Sequence, residues 1–269
     1  MTRRILPIIL CASLAACSTE RPATERPPEA PLPMAESETA VRSYGFEVIR
    51  TLPHDVKAFT QGLVVHAGAF LESTGQNGQS SIRIVDITSG KVRKLEKLED
   101  RYFGEGMTVL NGKAYMITWL NQSGFIYDAH TLKELDKFSY AGEGWGLTND
   151  GKNLIMSNGS NVLSVIDPKT FAVVRSISVT QSGSLVSQLN ELEWIEGEIW
   201  ANIWQSDRIV RIDPSSGKVT GVIDLTGILP NSSRTATTDV LNGIAYDTAA
   251  KAIYVTGKNW PSMFQIRVQ

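Results

Sequence analysis

Arg101-Tyr102-Phe103-Gly104-Glu105-Gly106-Met107 sets a lone carboxylate between two glycines, after the charged run Lys94 to Arg101 and before the strand-like Met107-Thr108-Val109-Leu110. A Glu whose neighbours have no side chains sits where the backbone can turn tightly and a ligand can approach. Taken alone, the tripeptide also fits a solvated turn. Glu105 becomes a candidate acid/base only if its context repeats. It does: Gln61-Gly62-Leu63, Glu105-Gly106-Met107, Trp145-Gly146-Leu147, Asn190-Glu191-Leu192 and Asn242-Gly243-Ile244 follow one another at spacings of 44, 40, 45 and 52 residues.

Each triplet opens a short strand, followed by a turn and a second apolar strand: Ala69 to Ser73, Ala114 to Thr118, Asn153 to Ser157, Glu198 to Ile203 and Ala252 to Thr256. A third strand ends in Asp at Asp86, Asp128, Asp167 and Asp213, and a fourth follows at Lys91 to Leu98, Leu132 to Tyr140, Ala172 to Val179 and Lys218 to Leu225. Four strands every 40 to 50 residues are the signature of a propeller blade. The fifth repeat stops after its third strand, Met263 to Val268, while Phe46 to Arg50 stands ahead of the first repeat without a blade. Pairing the two closes the ring and removes an exposed edge. The expected fold is therefore all-β: a single five-bladed β-propeller of four-stranded blades over residues 41–269, its last blade completed by an N-terminal strand.

Composition agrees with a globular domain and narrows the partners. The chain has 269 residues, a formal net charge of -2 and a pI near 6.0. That balance gives no electrostatic case for nucleic acid. Arg3 and Arg4, the apolar stretch Ile5 to Ser13 and the small-residue site Leu14-Ala15-Ala16-Cys17 read as a signal peptide over residues 1–16. The tetrapeptide resembles a bacterial lipobox, which implies cleavage before Cys17 and lipidation of its thiol; a plain signal peptide with an incidental cysteine is the other reading. Cleavage would also remove Cys11, leaving no disulfide partner. Residues 17–40, with Pro22, Pro27, Pro28, Pro31 and Pro33, read as a disordered tether behind a membrane anchor. The expected location is the cell envelope, facing the periplasm, and the outer membrane if the host is Gram-negative, since Ser18 rather than Asp follows the cysteine.

In a propeller the first strand of every blade lines the axis, so Gln61, Glu105, Trp145, Asn190 and Asn242 form a ring at one mouth. The ends of the second strands, roughly Thr74, Trp119, Asn158, Trp204 and Lys258, form a second layer. Positions that served only the fold would carry similar residues, whereas these are chemically diverse and point to a ligand site. Each has a plainer reading: the amides as strand-start partners for backbone, Trp145 as a channel plug, Trp119 and Trp204 as inter-blade core, Lys258 as a solvated turn residue. Trp194 and Trp200, inside strands, are assigned to core. His54, His66 and His130 are scattered and show no zinc spacing, no Gly-x-Ser-x-Gly elbow exists, and Thr74-Gly75-Gln76-Asn77-Gly78 lacks the Lys of a phosphate loop. No metal and no cofactor are called for.

At these residues the sequence resembles the plant-type and bacterial glutaminyl-peptide cyclotransferases, five-bladed propellers that convert N-terminal Gln to pyroglutamate. The resemblance lies in Ala58-Phe59-Thr60-Gln61-Gly62-Leu63, Phe103-Gly104-Glu105-Gly106, Ile117-Thr118-Trp119, Gly142-Glu143-Gly144-Trp145-Gly146-Leu147, Leu189-Asn190-Glu191-Leu192-Glu193, Ala201-Asn202-Ile203-Trp204, Leu241-Asn242-Gly243-Ile244-Ala245 and Thr256-Gly257-Lys258-Asn259-Trp260. It implies that Glu105 is the catalytic acid/base, and that Trp119, Trp145 and Trp204 wall the pocket together with Phe59 and Phe103. Gln61, Asn190, Asn242 and Lys258 would supply polar contacts, Lys258 and Asn190 to the oxygen that gains charge. The partners implied are peptides or proteins with N-terminal Gln. A non-catalytic propeller that binds peptide through the same mouth is the alternative from another class, and the long link Asn231 to Val240 is expected to cover that mouth.

Overall fold

Residues 41–269 are described by the computed structural model; the signal-peptide, Cys17 and tether readings lie outside the described residues. The chain opens with β1 (Arg42–Tyr44) and β2 (Phe46–Pro53). Blade one is β3 (Thr60–His66), β4 (Ala69–Thr74), β5 (Ser81–Val85) and β6 (Val92–Lys97), and blade two is β7 (Gly104–Leu110), β8 (Lys113–Thr118), β9 (Ser123–Asp128) and β10 (Glu134–Ser139). Blade three is β11 (Leu147–Asn149), β12 (Leu154–Met156), β13 (Val162–Ile166) and β14 (Val173–Ser178), followed by a small hairpin of β15 (Thr180–Gln181) and β16 (Ser184–Leu185). Blade four is β17 (Leu189–Ile195), β18 (Glu198–Ile203), β19 (Arg208–Ile212) and β20 (Val219–Asp224). Blade five holds β21 (Leu241–Asp247), β22 (Ala252–Gly257) and β23 (Ser262–Val268), with β2 as its outer strand, so the ring is shut by the N-terminal segment as expected.

The repeated third-strand Asp has a local cause. Asp86 accepts the N–H groups of Thr88 and Ser89, Asp128 those of His130 and Thr131, Asp167 those of Lys169 and Thr170, and Asp213 those of Ser215 and Ser216. A side-chain acceptor two and three residues upstream is an Asx turn, which fixes the hairpin into the outer strand. Those outer strands are polar and exposed, Val92–Lys97 throughout its length, which blunts the edges against pairing with another chain.

Five clusters of buried side chains sit at the five blade–blade seams. Leu71 and Ile82 meet Met107 and Met116 between blades one and two; Ile117 and Phe138 meet Leu147 and Leu154 between two and three. Ile155 and Leu163 meet Leu192 and Ile199 between three and four, and Ile195 and Trp200 meet Ile244 and Val255 between four and five. Leu63 and Phe70 meet Ala245 and Tyr254 at the closing seam. Each fully buried Leu, Ile or Phe contributes about 1.5–3 kcal/mol, so every seam is an apolar joint of similar kind. Trp200 belongs to core as expected, while Trp194 packs half-buried against its cluster.

Two features depart from the sequence expectation. Blade four carries a fifth strand, because β1 runs parallel to β20 with Tyr44 opposite Ile223; three residues ahead of Gly45 show no readable alternation. Blade three begins its inner strand only at Leu147, after Trp145, because the Gly146 N–H is taken by Ser157 Oγ (2.7 Å) and not by a ladder partner.

Candidate active site

The Gly in the recurring triplet is required by the approach of the neighbouring blade. A Cβ on Gly62 would lie 2.4 Å from Met107 N, one on Gly106 2.4 Å from Leu147 N, and one on Gly146 2.0 Å from Asn190 O. At these three positions the inner strands touch the next blade backbone to backbone, and no side chain fits there. In blade four the place is taken by Glu191, whose carboxylate reaches across to the N–H groups of Leu63 (3.3 Å) and Ile244 (2.8 Å).

The residue before each Gly is aimed by a second device. The strand pairing slips between Thr60 and Gly62, between Gly104 and Met107, between Leu189 and Leu192, and between Leu241 and Ile244. Gln61, Glu105, Asn190 and Asn242 thus sit in β-bulges, which interrupt the ladder and redirect a side chain. Inter-blade bonds hold the bulges in place: Ser73 Oγ donates to Glu105 O (2.6 Å), Ser157 Oγ to Asn190 O (2.6 Å), and Gly243 N to Asn202 Oδ1 (3.0 Å).

Above the ring lies a cavity of about 380 Å³ that draws on all five blades. Phe59, Gln61, Phe103, Glu105, Trp119, Trp145, Asn190, Trp204 and Lys258 all line it, as do Gln205, Asp239 and Val240. The aromatic residues form two edge-to-face groups: Phe59 on Phe103 (6.0 Å between centroids) with Phe103 on Trp119 (5.7 Å), and Trp145 on Trp204 (5.5 Å). Trp119 keeps 38% of its surface exposed, so it stands at the lip rather than in inter-blade core.

Asn242 is the exception among the expected wall residues. It is fully buried behind Gln61, with Nδ2 donating to Gln61 Oε1 (3.2 Å) and Thr60 O (3.0 Å). This contact leaves Gln61 Nε2 as the donor to Glu105 Oε1 at 2.9 Å. The bulge of blade five is the reason: Gly243 adopts φ 119°, which turns Asn242 toward blade one instead of the mouth. Thr74 and Asn158 do not reach the cavity either. Thr74 bonds Ser81 Oγ inside its own blade (2.8 Å), and Asn158 caps the turn at Ser160 (3.1 Å).

Glu105 is 5% exposed. Burial pushes its carboxyl well above the usual carboxylate range; Lys258 pulls it back and Glu143 adds to the rise. Lys258 is lowered by the same burial, opposed by Glu105 and Asp239. Its Nζ lies 4.9 Å from the centroid of the Phe59 ring, a cation–π contact, and its backbone is clamped by Val240 O (2.9 Å) and Asp239 N (2.9 Å). Asn190 Oδ1 is buried with no partner among the described residues.

Glu143 escaped the sequence reading, although Gly142-Glu143-Gly144 repeats the punctuation around Glu105. Its Oε2 accepts both indole N–H groups, from Trp119 at 2.8 Å and Trp145 at 2.9 Å, and so sets the tilt of two wall residues from behind. The link Asn231 to Val240 contributes only its end, Asp239 and Val240, to the wall. Among the described residues no three His, Cys, Asp or Glu side chains are grouped to hold a metal ion. The histidines are less scattered than the sequence implied, since the His66 and His130 rings, from blades one and two, meet at 4.8 Å.

A family model described as glutamine cyclotransferase matches residues 9–268. The chain belongs to the glutamine cyclotransferase family. A glutaminyl-peptide cyclotransferase of Arabidopsis thaliana is 45% identical over 230 residues, which cover 83% of this chain and 71% of that protein. The crystal structure of Myxococcus xanthus glutaminyl cyclase superposes with a TM-score of 0.80 at 36% identity, covering 85% of this chain and 98% of that one. The fold is thus shared with a solved relative over 85% of the chain.

Proposed function

We propose that this chain is a glutaminyl-peptide cyclotransferase, converting N-terminal Gln of peptides to pyroglutamate with release of ammonia. The observation that carries the reading is a desolvated carboxyl, Glu105, oriented by an amide and enclosed by aromatic rings in a cavity of about 380 Å³, in a chain of the glutamine cyclotransferase family. The reaction is an internal acyl transfer: the α-amine nitrogen bonds to the γ-carboxamide carbon and the carbon–nitrogen bond to the amide breaks. Because both partners sit on one residue, the protein needs no nucleophile, and its task is to fold the flexible side chain back on itself. The aromatic wall serves that purpose by packing the methylenes.

Proton balance gives Glu105 its part. The attacking nitrogen sheds one proton and the departing nitrogen gains one, so a single carboxyl that ends the cycle as it began is sufficient. Burial that raises Glu105 favours a neutral acid beside a neutral amine over the ion pair carrying the same protons. The neutral amine is the form that attacks. Oxygen on the carboxamide carbon gains charge in the tetrahedral intermediate, and Lys258 is the proposed donor to it. Asn190 Oδ1, a buried acceptor without a donor, is proposed to take an N–H of the carboxamide.

The test incubates residues 41–269 with a Gln-initiated peptide in the presence of EDTA and follows ammonia loss by mass. Conversion with EDTA present is expected, since the proposed chemistry uses no metal. No conversion anywhere between about pH 6 and 9, where the amine passes through its pKa, would overturn the cyclase reading and leave a peptide-binding propeller.

We further propose that the mature protein is exported and lipid-anchored through Cys17, on the strength of Leu14-Ala15-Ala16-Cys17. Cys17→Ala is expected to move the protein from the membrane pellet to the soluble fraction, because a protein held by acyl chains alone loses its anchor with them. A variant that still sediments with membranes would sink the anchor assignment.

A further inference from the structure

Next to the aromatic cavity lies a second basin of about 310 Å³, and the two share Gln205, Asp239 and Val240 as a common wall. Only the second basin is lined by Asp207, Arg234 and Thr238. We propose that this basin binds the substrate residues that follow the N-terminal Gln, and that Arg234 and Asp207 read their charge. The proposal rests on the cyclase reading above and deepens it.

Geometry supplies the first argument. Cyclisation consumes the amine and the carboxamide of residue one, so the only atoms that must leave the aromatic cavity are those of its carbonyl and the chain beyond. A peptide substrate therefore needs an exit that does not displace the wall, and the shared rim is such an exit. That rim is also rigid. Asp239 N donates to Lys258 O (2.9 Å), Lys258 N to Val240 O (2.9 Å), and Trp260 Nε1 to Asp239 O (2.9 Å). The segment beside the exit is thereby locked to the strand end that carries Lys258, and a chain lying on it is held in register with the reacting end.

Charge supplies the second. Arg234 is exposed, and among the described residues its guanidinium has no carboxylate within ion-pair distance. Its backbone is held by Asn231 O (3.2 Å), and the following turn is stitched by Thr238 Oγ1 to Thr235 N (2.8 Å). Asp207 is half-buried, and its carboxylate accepts no hydrogen bond from a described residue. Two groups of opposite sign, each without a partner and facing one basin, can be satisfied by an extended peptide with a charged side chain at its second or third position. Asp239 differs from them, since its carboxylate is already engaged by Val240 N (2.7 Å).

The test compares glutaminamide with short amidated peptides carrying Glu or Lys after Gln, on the wild type, Arg234→Gln and Asp207→Asn. kcat/KM is measured beside peptide affinity from indole fluorescence, so the basin is read even where turnover is absent. Arg234→Gln is expected to weaken the Glu-containing peptides about two- to fivefold and Asp207→Asn the Lys-containing ones by a similar factor, the range for a partly exposed charge pair. Glutaminamide should be unaffected by either. Equal losses on all substrates, or a wild type that treats peptides and glutaminamide alike in both readouts, would overturn the proposal. Charge-selective affinity without any turnover would support the basin while overturning the cyclase reading.

Discussion

Glu105→Gln is expected to abolish turnover and at the same time raise the melting temperature near neutral pH. The first effect follows from removing the one buried carboxyl among the described residues of the cavity wall; Asp239, the other acid there, is exposed to water. A shuttle of this kind is worth roughly 10²–10⁴ in rate, and the loss should fall on kcat rather than KM, because Gln keeps the shape and still accepts from Gln61 Nε2. The second effect is the thermodynamic side of the same burial. Glu105 is held well above the ordinary carboxylate range, so between its unfolded pKa of about 4.3 and its folded one the native state holds a proton that the unfolded chain has released. Stability falls as pH rises through that interval. The amide removes the penalty, and the gain in melting temperature over wild type should vanish below about pH 4. Activity within tenfold of wild type would place the shuttle on another residue; a melting temperature lower than wild type at pH 7 to 8 would contradict the burial argument.

Arg83→Met should cost the fold about 3–5 kcal/mol, the range for stripping one partner from a buried ion pair. Arg83 is 4% exposed and reaches Glu72 Oε2 through Nε (3.0 Å) and Nη2 (2.8 Å), with Nη1 on Asp55 (2.9 Å). Glu72 Oε1 accepts from Thr60 Oγ1 (2.6 Å) and from His54 Nε2 (2.9 Å), while His54 Nδ1 lies 2.7 Å from Trp260 O. The network therefore crosses the closing seam from blade one to the turn just after Lys258. Burial drives the Glu72 carboxyl upward, but Arg83, His54 and Thr60 outweigh it and hold it far below the usual range. A depressed carboxylate contributes stability at pH values above about 4.3 that is lost as pH falls below. Denaturant midpoints should show the wild type losing stability below about pH 4 and Arg83→Met losing much less of it. The double variant Arg83→Met, Glu72→Leu should recover part of the loss, because neither member of the buried pair is then left uncompensated, while Asp55, His54 and Thr60 still lose a partner. A single variant that unfolds at the wild-type midpoint would mean that water reaches Glu72.

Much of this molecule was legible because a propeller repeats itself. The triplet Gln61-Gly62-Leu63 and its counterparts mark the starts of the inner strands, and at Gly62, Gly106 and Gly146 the approach of the next blade tolerates only Gly, so the fold writes its own period into the chain. The ring residues were legible for the same reason, being the positions where repeats agree in backbone and disagree in side chain. What escaped has no period. Glu72 and Arg83 lie in strands whose alternation reads the same whether a charged residue faces water or a partner, and nothing local says that His54 is waiting across a seam. Glu143 was missed since its work is done through two indoles and not at the cavity surface. Asn242 was placed at the wall because the repeat put it there, and only the backbone angle of Gly243 shows that it faces blade one.

Closure by β2 has a kinetic side. Blades one to three, and the four antiparallel strands of blade four, are each built from strands adjacent in sequence, so each can pair as soon as its own stretch is available. The fifth must join Phe46 to Val268 and Pro53 to Ser262, segments about two hundred residues apart. Loop-closure entropy grows only with the logarithm of length, so bringing those ends together costs about 1.5 kcal/mol more than closing a loop of blade length. The thermodynamic cost is small, yet the order is strict: until β21 and β22 bring Ile244, Ala245, Tyr254 and Val255, blade one and blade four each present an apolar flank with no neighbour. A chain halted before β21 is thus an open arc with two sticky ends, and the pairing of β23 with β2 is the step that fixes the finished ring.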